Sequence, residues 1–321
     1  MLKIKSIQAT DKNRHFELLK DRFYEGLFEA LWSVGPDAVY HQDLLELLYD
    51  VLEEILIGTP SELENIAIAV QVMHPEFSAY AARKKKGNSA ADVIHKNTLK
   101  IIEKCFSYDK FSDKKASWNA YELVSSHNIR ICPYCHSHHI NYHLDASAKT
   151  QKEQYVFRPP LDHFLPKSRY PYLAVSLHNL IPSCAQCNSS IKSDVDPIEY
   201  GLTNPHDNAI PIDISFSAAG SIPTAFKGTY DDIKINLIAT GVESHALMEA
   251  FLLPARYQWY RHEIKDLIDR YSDHLALPPA FHTVITRERY VLGCLLTQVN
   301  ERMIGKCLGD IFKELVANKV A

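Results

Sequence analysis

Cys132-Pro133-Tyr134-Cys135 and Cys184-Ala185-Gln186-Cys187 are the two stretches that decide the fold of this chain. In each pair a two-residue spacer places both sulfurs on one side of a tight turn, and four thiolates together suit tetrahedral Zn²⁺. A closed set of four cysteines leaves no open position, so the predicted ion is structural rather than catalytic. The 48 residues between the pairs exceed the roughly 15–20 that are usual in zinc ribbons. The sequence therefore predicts a folded insert that zinc clamps at both ends.

The composition is that of an ordinary globular protein. The chain has 321 residues, of which 46% are hydrophobic and 23% charged, and a formal net charge of −4. This charge argues against a chain that coats nucleic acid everywhere, although 35 lysines and arginines leave room for a local basic groove. No apolar run is long enough to span a membrane, and the first residues lack the apolar core of a secretory signal. We therefore expect a cytoplasmic protein with no membrane contact.

A reducing cytoplasm favours metal binding over disulfides for the two cysteine pairs. The remaining cysteines lie in apolar, helix-like contexts, and we interpret them as buried thiols without chemistry: Cys105, Cys294 and Cys307.

Hydrophobic periodicity predicts helices on both sides of the cysteine region and short strands after it. The predicted helices cover about 14–33, 41–57, 88–106, 115–126, 243–273, 284–298 and 300–317, and another begins at Thr59-Pro60. Short β-like runs occur within 212–240. We expect an α+β fold with a helical part over 1–114, a zinc-stapled centre over 115–205, and a part over 206–321 in which short strands precede helices.

The insert carries a set of residues suited to phosphodiester hydrolysis, which needs an activated water and a cation at the phosphate. Asp162 and Asn188 offer hard oxygen donors for Mg²⁺ or Mn²⁺. His163 can take a proton from water near neutral pH. Asn179 is expected to hydrogen-bond to the backbone and to brace the loop that aims His163, and Asn188 to open a helix.

The order Cys-x-x-Cys, Asp-His, Asn-Leu, Cys-x-x-Cys-Asn resembles the HNH (ββα-metal) endonuclease family over residues 129–192. The resemblance implies that Asp162 is the first metal ligand and His163 the general base. It implies further that Asn179 steadies the ββ hairpin and that Asn188 is the last metal ligand, so that the chain is a variant of the HNN type.

The segment Asp162–Lys192 also resembles the nucleases of bacterial anti-phage systems, such as those associated with Septu and retrons. This resemblance implies a defence effector that cleaves DNA. It also suggests a protein partner, such as an ATPase sensor, for the large helical flanks.

Four basic residues within or beside the motif are candidates for contacts with phosphates: Arg158, Lys167, Arg169 and Lys192. Two alternatives stay open. One is a non-catalytic zinc-dependent module that binds nucleic acid or a partner, and the other is an HNH nuclease that cleaves RNA.

Histidines outside the motif receive simpler interpretations. The alternation in residues 136–143 predicts a strand with exposed histidines rather than a second metal site at His136, His138, His139 and His143. His178 is interpreted as a packed or surface histidine rather than a catalyst.

Overall fold

Helices dominate the chain, and three two-stranded antiparallel sheets accompany them in the described residues. The computed structural model describes residues 4, 7–32, 39–193, 195–282 and 285–317. This architecture agrees with the predicted α+β class. Within the described residues, no helix combines the length and the apolar character needed to cross a membrane.

The N-terminal part is helical. Its helices are α1 Ala9–Trp32, α2 Gln42–Asp50, α3 Leu52–Ile57, α4 Pro60–Met73, α5 Pro75–Ala82, α6 Val93–Cys105, α7 Tyr108–Phe111 and α8 Ala120–His127.

The central part holds strands β1 His143–Leu144, β2 Tyr155–Phe157, β3 Leu161–His163 and β4 Leu180–Pro182, with helix α9 Gln151–Gln154 before β2, a π-helix at Gln186–Lys192 and helix α10 Pro197–Tyr200.

The C-terminal part holds strands β5 Asp213–Ser217 and β6 Asn236–Thr240. Its helices are α11 Ile222–Ala225, α12 Val242–Ala250, α13 Leu253–Tyr257, α14 Arg261–Ala276, α15 Pro279–His282, α16 Arg287–Leu292 and α17 Gly305–Ala317.

Most predicted helices are present, but two of the longer ones are divided. The helix predicted over 41–57 breaks at Val51, whose backbone leaves the helical region, and the one over 243–273 breaks where Leu252 is left-handed at φ 52° ahead of Pro254. The start predicted at Thr59 is confirmed, since Thr59 and Glu62 form a capping box. Residues 33 and 284, where two predicted helices end and begin, lie outside the described residues.

Both flanks pack against the central part. The Nε2 atom of His15 in α1 donates to the carbonyl oxygen of Val175 at 2.9 Å, and the Tyr257 hydroxyl in α13 donates to that of Cys135 at 2.8 Å. Of the two alternatives for His178, a packed or a surface histidine, the structure shows the packed one. Its Nδ1 atom lies 2.6 Å from the carbonyl oxygen of Gly58. Because buried apolar side chains from all three parts form one cluster, the flanks act as a scaffold for the centre.

His15 makes the stability of this scaffold dependent on pH. Burial lowers the pKa of His15 to about 4, although the hydrogen bond from Nε2 to the oxygen of Val175 opposes this shift. The other ring nitrogen, Nδ1, accepts from Trp118 Nε1 at 2.9 Å and is therefore unprotonated. The unfolded chain keeps the ordinary pKa of 6.5 and therefore binds the proton first. The stabilisation is present above pH 6.5 and is lost as the pH falls towards 4.

We predict that His15→Gln, which can keep both hydrogen bonds, flattens the decline of unfolding free energy between pH 7 and pH 4. The expected difference between the two proteins is about 3 kcal/mol over this range. Urea denaturation at a series of pH values measures it. Parallel declines in the two proteins would contradict the role of His15.

Candidate metal centre and adjoining polar site

The two cysteine pairs form one buried cluster. The sulfur atoms of Cys132, Cys135, Cys184 and Cys187 all lie within 4.8 Å of one another. The Sγ atoms of Cys135 and Cys184 are 3.9 Å apart, far longer than the ~2.05 Å of a disulfide. Sulfurs on tetrahedral Zn²⁺, with bonds of ~2.3 Å, stand about 3.8 Å apart. The cluster can therefore hold a metal ion such as zinc.

Hydrogen-bond donors and one cation lie close to the sulfur atoms of the cluster. The backbone N–H of Cys184 points at Cys132 Sγ at 3.4 Å, and that of Cys187 at Cys184 Sγ at 3.4 Å. From the C-terminal part, Arg256 Nη1 lies 3.4 Å from Cys187 Sγ. Among the four thiols themselves, hydrogen bonds led by Cys132 lower the pKa values of Cys135 and Cys184, whereas burial raises that of Cys132 and hydrogen bonds from Cys135 and Cys184 raise that of Cys187. A cation and several N–H donors therefore stand ready to offset the negative charge of four metal-bound sulfurs.

The candidate catalytic residues lie on a short hairpin beside this cluster. Strands β3 and β4 pair antiparallel, with Asp162 opposite Ile181 and His163 opposite Leu180. The π-helix begins after three further residues, which include Cys184, and its five-residue hydrogen-bond spacing lets both Cys187 and Lys192 face inward. A hairpin and a helix thus meet at the cysteine cluster.

Asp162 is buried and fully engaged. The hydroxyl of Tyr134 donates to Asp162 Oδ2 at 2.6 Å, and Lys192 Nζ donates to Oδ1 at 3.2 Å. The ammonium group of Lys192 also donates to the carbonyl oxygen of His163 at 2.8 Å. Burial raises the pKa of Asp162, and the nearby Lys192 opposes this shift.

His163 presents one ring nitrogen as a base. Its Nε2 atom lies 2.9 Å from the carbonyl oxygen of Ala174 and must donate to it, which leaves Nδ1 unprotonated in the neutral ring. Burial lowers the pKa of His163 to about 3, so the ring is neutral at pH 7. The Tyr108 ring packs against it edge to face, with centroids 4.8 Å apart.

Asn179 makes the backbone hydrogen bonds expected of a brace. Its Oδ1 atom accepts from the backbone N–H of Leu165 at 2.6 Å, while Nδ2 donates to the oxygens of Leu165 at 3.0 Å and Leu173 at 2.9 Å. These bonds close the loop that follows His163 and that carries Ala174. The side chain of Asn179 therefore fixes the peptide group immediately before the one whose carbonyl oxygen orients the His163 ring.

Asn188 and Lys192 do not lie in the positions that the sequence predicts for them. Asn188 lies inside the π-helix rather than at its start, is partly exposed, and has its amide 3.5 Å from Ser189 Oγ. Lys192, predicted to touch phosphate, is 1% exposed and held by Asp162 and the oxygen of His163. The prediction that Lys192 contacts nucleic acid at the surface is therefore wrong, because its ammonium group is paired inside the protein.

The other basic candidates remain nearer the surface. Lys167 is exposed, and its Nζ lies 5.5 Å from the centre of the Tyr108 ring. Arg158 is half-buried and donates from Nη2 to the Tyr108 hydroxyl at 3.3 Å. Arg169 is paired with Asp196 and with Glu199, so two carboxylates already offset its charge.

Sequence reasoning missed two tyrosines of the site. Tyr134 occupies one of the two spacer positions between the cysteines of the first pair, and nothing in that motif indicates a role for its hydroxyl. Tyr108 lies 55 positions before His163 and belongs to no motif.

The strand predicted over 136–143 is wrong, since His136 is buried at φ 55° and its backbone N–H donates to the carbonyl oxygen of Cys132 at 3.0 Å. The turn of the cysteine pair extends through His136, which leaves only β1 at the end of this stretch.

Comparison of the chain with protein-family models, with curated proteins and with solved structures finds no match.

We predict that Cys184→Ser removes one equivalent of zinc per chain and lowers the midpoint of thermal unfolding, because the hairpin and the π-helix lose their common anchor. Cys294→Ser is the matched control, since Cys294 is buried outside the cluster. Metal analysis and thermal denaturation measure both effects. Equal zinc contents in the two variants would show that the cluster does not bind the ion.

We predict that Lys192→Met lowers the unfolding free energy by about 3–5 kcal/mol, because it leaves the buried Asp162 carboxylate without its cation. The double variant Asp162→Asn/Lys192→Met should recover part of this loss, and Lys100→Met, on the exposed face of α6, should cost little. Chemical denaturation gives all three values. A loss for Lys192→Met no larger than that for Lys100→Met would contradict the pairing.

Proposed function

We propose that this chain is an endonuclease that hydrolyses phosphodiester bonds of DNA, with His163 as the general base. The observation that carries the proposal is the state of the His163 ring, in which Nε2 is bound to Ala174 and Nδ1 is free to accept a proton. Proton abstraction from water needs a positioned imidazole that is neutral and whose pKa lies near the working pH, so the proposal requires that the negative charge of a bound phosphate raise the pKa of His163 from about 3. Asn179 supports this role because it holds the loop to which the ring is tied.

The neighbourhood of His163 suits an anionic substrate. Lys167 and Arg158 both lie against Tyr108, and Tyr108 packs on the His163 ring. Two cations beside a base favour a phosphate of the nucleic-acid backbone over a neutral substrate. Lys192 adds positive charge beneath the site without reaching the surface.

In the proposed reaction, a water oxygen attacks the phosphorus atom and the bond from phosphorus to the leaving sugar oxygen breaks. His163 Nδ1 takes the proton from the attacking water, and the leaving oxygen takes a proton from solvent. Lys167 and Arg158 offset the negative charge on the non-bridging oxygens during the attack. His163 then returns its proton to solvent.

The catalytic Mg²⁺ or Mn²⁺ that the sequence predicts at Asp162 and Asn188 does not fit Asp162 as it is placed. Both carboxylate oxygens accept hydrogen bonds, the residue is 2% exposed, and the cation beside it is the ammonium group of Lys192. A hydrated divalent ion needs oxygen ligands that face water. Asn188 is partly exposed but brings no charge. The proposed chemistry therefore relies on the side chains around His163.

The cysteine cluster enters the proposal as a structural Zn²⁺ site, since four sulfurs leave no position for a substrate. A role in anti-phage defence, with an ATPase sensor as partner, rests on the sequence resemblance alone.

We predict that His163→Ala reduces DNA cleavage at least about a hundredfold, because it removes the general base. His139→Ala is the matched control, since His139 is exposed on the first cysteine turn. Nicking of a supercoiled plasmid measures the loss, with zinc content and circular dichroism confirming that both variants are folded. Parallel reactions on single-stranded RNA, and with Mg²⁺, Mn²⁺ or EDTA, identify the substrate and the ion requirement.

Cleavage by His163→Ala at the rate of the wild-type protein would refute the assigned base. Binding of DNA without cleavage under every one of these conditions would instead favour the non-catalytic binding module.

A further inference from the structure

A second group of metal-binding side chains lies in the N-terminal helical part, separate from the cysteine cluster. One ring nitrogen of His41, one of His74 and a carboxylate oxygen of Asp43 all lie within 4.8 Å of one another. The closest measured approach between the last two is 3.8 Å, from His74 Nδ1 to Asp43 Oδ2. Ligand atoms of a tetrahedral ion with bonds of ~2.0 Å stand about 3.3 Å apart, so small side-chain rotations would bring the three to a common ion.

The three residues meet because of where the helices begin and end. His41 immediately precedes α2, and Asp43 lies in the first turn of that helix. His74 is the single residue between α4 and α5, and neither helix end draws a cap hydrogen bond from its imidazole. All three side chains are therefore attached at or next to helix ends and not in long loops, so the helices hold them on a rigid frame.

His95, on α6, orients the ring of His41. Its Nδ1 atom lies 3.0 Å from His41 Nε2, and the two rings are stacked with centroids 5.1 Å apart. On the far side of His95, Nε2 lies 3.9 Å from a carboxylate oxygen of Glu76. Histidine ligands of metal ions are commonly aimed in this way by a hydrogen-bonded neighbour, which in turn contacts a carboxylate.

The group is open on one side. The side chain of His74 is buried, whereas that of Asp43 is 75% exposed. An ion can therefore enter from solvent and keep a water molecule in its remaining position. Two imidazoles and one carboxylate suit a divalent transition metal ion, above all Zn²⁺, better than Mg²⁺ or Ca²⁺, which prefer oxygen ligands alone.

We propose that His41, Asp43 and His74 bind a second divalent transition metal ion, distinct from the ion of the cysteine cluster. This ion ties the start of α2 to the junction of α4 and α5, and so stabilises the helical scaffold. The proposal is independent of the nuclease activity, since none of these residues belongs to the site around His163.

Cobalt distinguishes the two sites. Full-length protein without a polyhistidine tag, holding one equivalent of zinc in its cysteine cluster, is titrated with Co²⁺ and followed by visible absorption. We expect one further equivalent to bind with the weak absorption of nitrogen and oxygen ligands, and without the intense thiolate-to-cobalt band that four sulfurs would give.

Asp43→Asn, His74→Gln and Asp50→Asn are titrated alongside. Asp43→Asn should weaken cobalt binding about tenfold or more, because it removes the anionic ligand, and His74→Gln should abolish it. Asp50→Asn, at the exposed end of the same helix, should bind as the wild-type protein does. Because Asp43 is largely exposed, its variant tests the site even if His74→Gln fails to fold.

Absence of a second cobalt equivalent in the wild-type protein would overturn the proposal. So would equal affinities of the wild-type protein and Asp43→Asn, or a thiolate band on the second equivalent.

Discussion

The arrangement of the central part depends on four cysteine sulfurs that meet at one point. The two pairs are separated by 48 residues, and within this insert lie the strands and loops of the candidate site. The insert has little regular structure of its own, because β3 and β4 contain only three residues each. A metal ion between the sulfurs would join the start and the end of the insert, which so short a hairpin cannot do by its own hydrogen bonds.

Both cysteine pairs also reach the polar centre through neighbouring side chains. Tyr134, inside the first pair, donates to one oxygen of Asp162, and Lys192, five residues after Cys187, donates to the other. Asp162 thus connects the two cysteine turns, and Lys192 also holds the backbone of the next residue, His163, through its carbonyl oxygen. The cysteine cluster and the candidate base are therefore parts of one connected structural unit.

Much of this unit could be predicted from the sequence, since its parts follow local rules. The spacing of the cysteines predicts their clustering. Outside this unit, the helix start at Thr59-Pro60 predicts α4, and the short β-like runs within 212–240 predict β5 and β6. Asn179 could be assigned a bracing role because an amide next to a short strand satisfies loop backbone groups. None of these inferences needed the three-dimensional contacts between distant residues.

The features of the site that could not be predicted from the sequence depend on contacts between residues far apart in the chain. Lysine is most often at the surface, so nothing local indicates that Lys192 is buried against Asp162. Tyr108 joins the site only because α7 packs beside β3, and the histidines at 41, 74 and 95 meet only because three helix boundaries converge. Likewise, the hydrogen bonds that occupy both carboxylate oxygens of Asp162, and so disfavour a catalytic ion there, come from Tyr134 and Lys192. These two residues are 58 positions apart in the chain.

X-ray absorption at the zinc edge tests the four-sulfur centre most directly. It is best recorded on Asp43→Asn protein that holds one equivalent of zinc, so that only the cysteine cluster contributes. A closed four-cysteine site predicts four sulfur neighbours at ~2.3 Å and no nitrogen or oxygen among the atoms bound to zinc. A shell with fewer than four sulfurs, or with light atoms in their place, would contradict it.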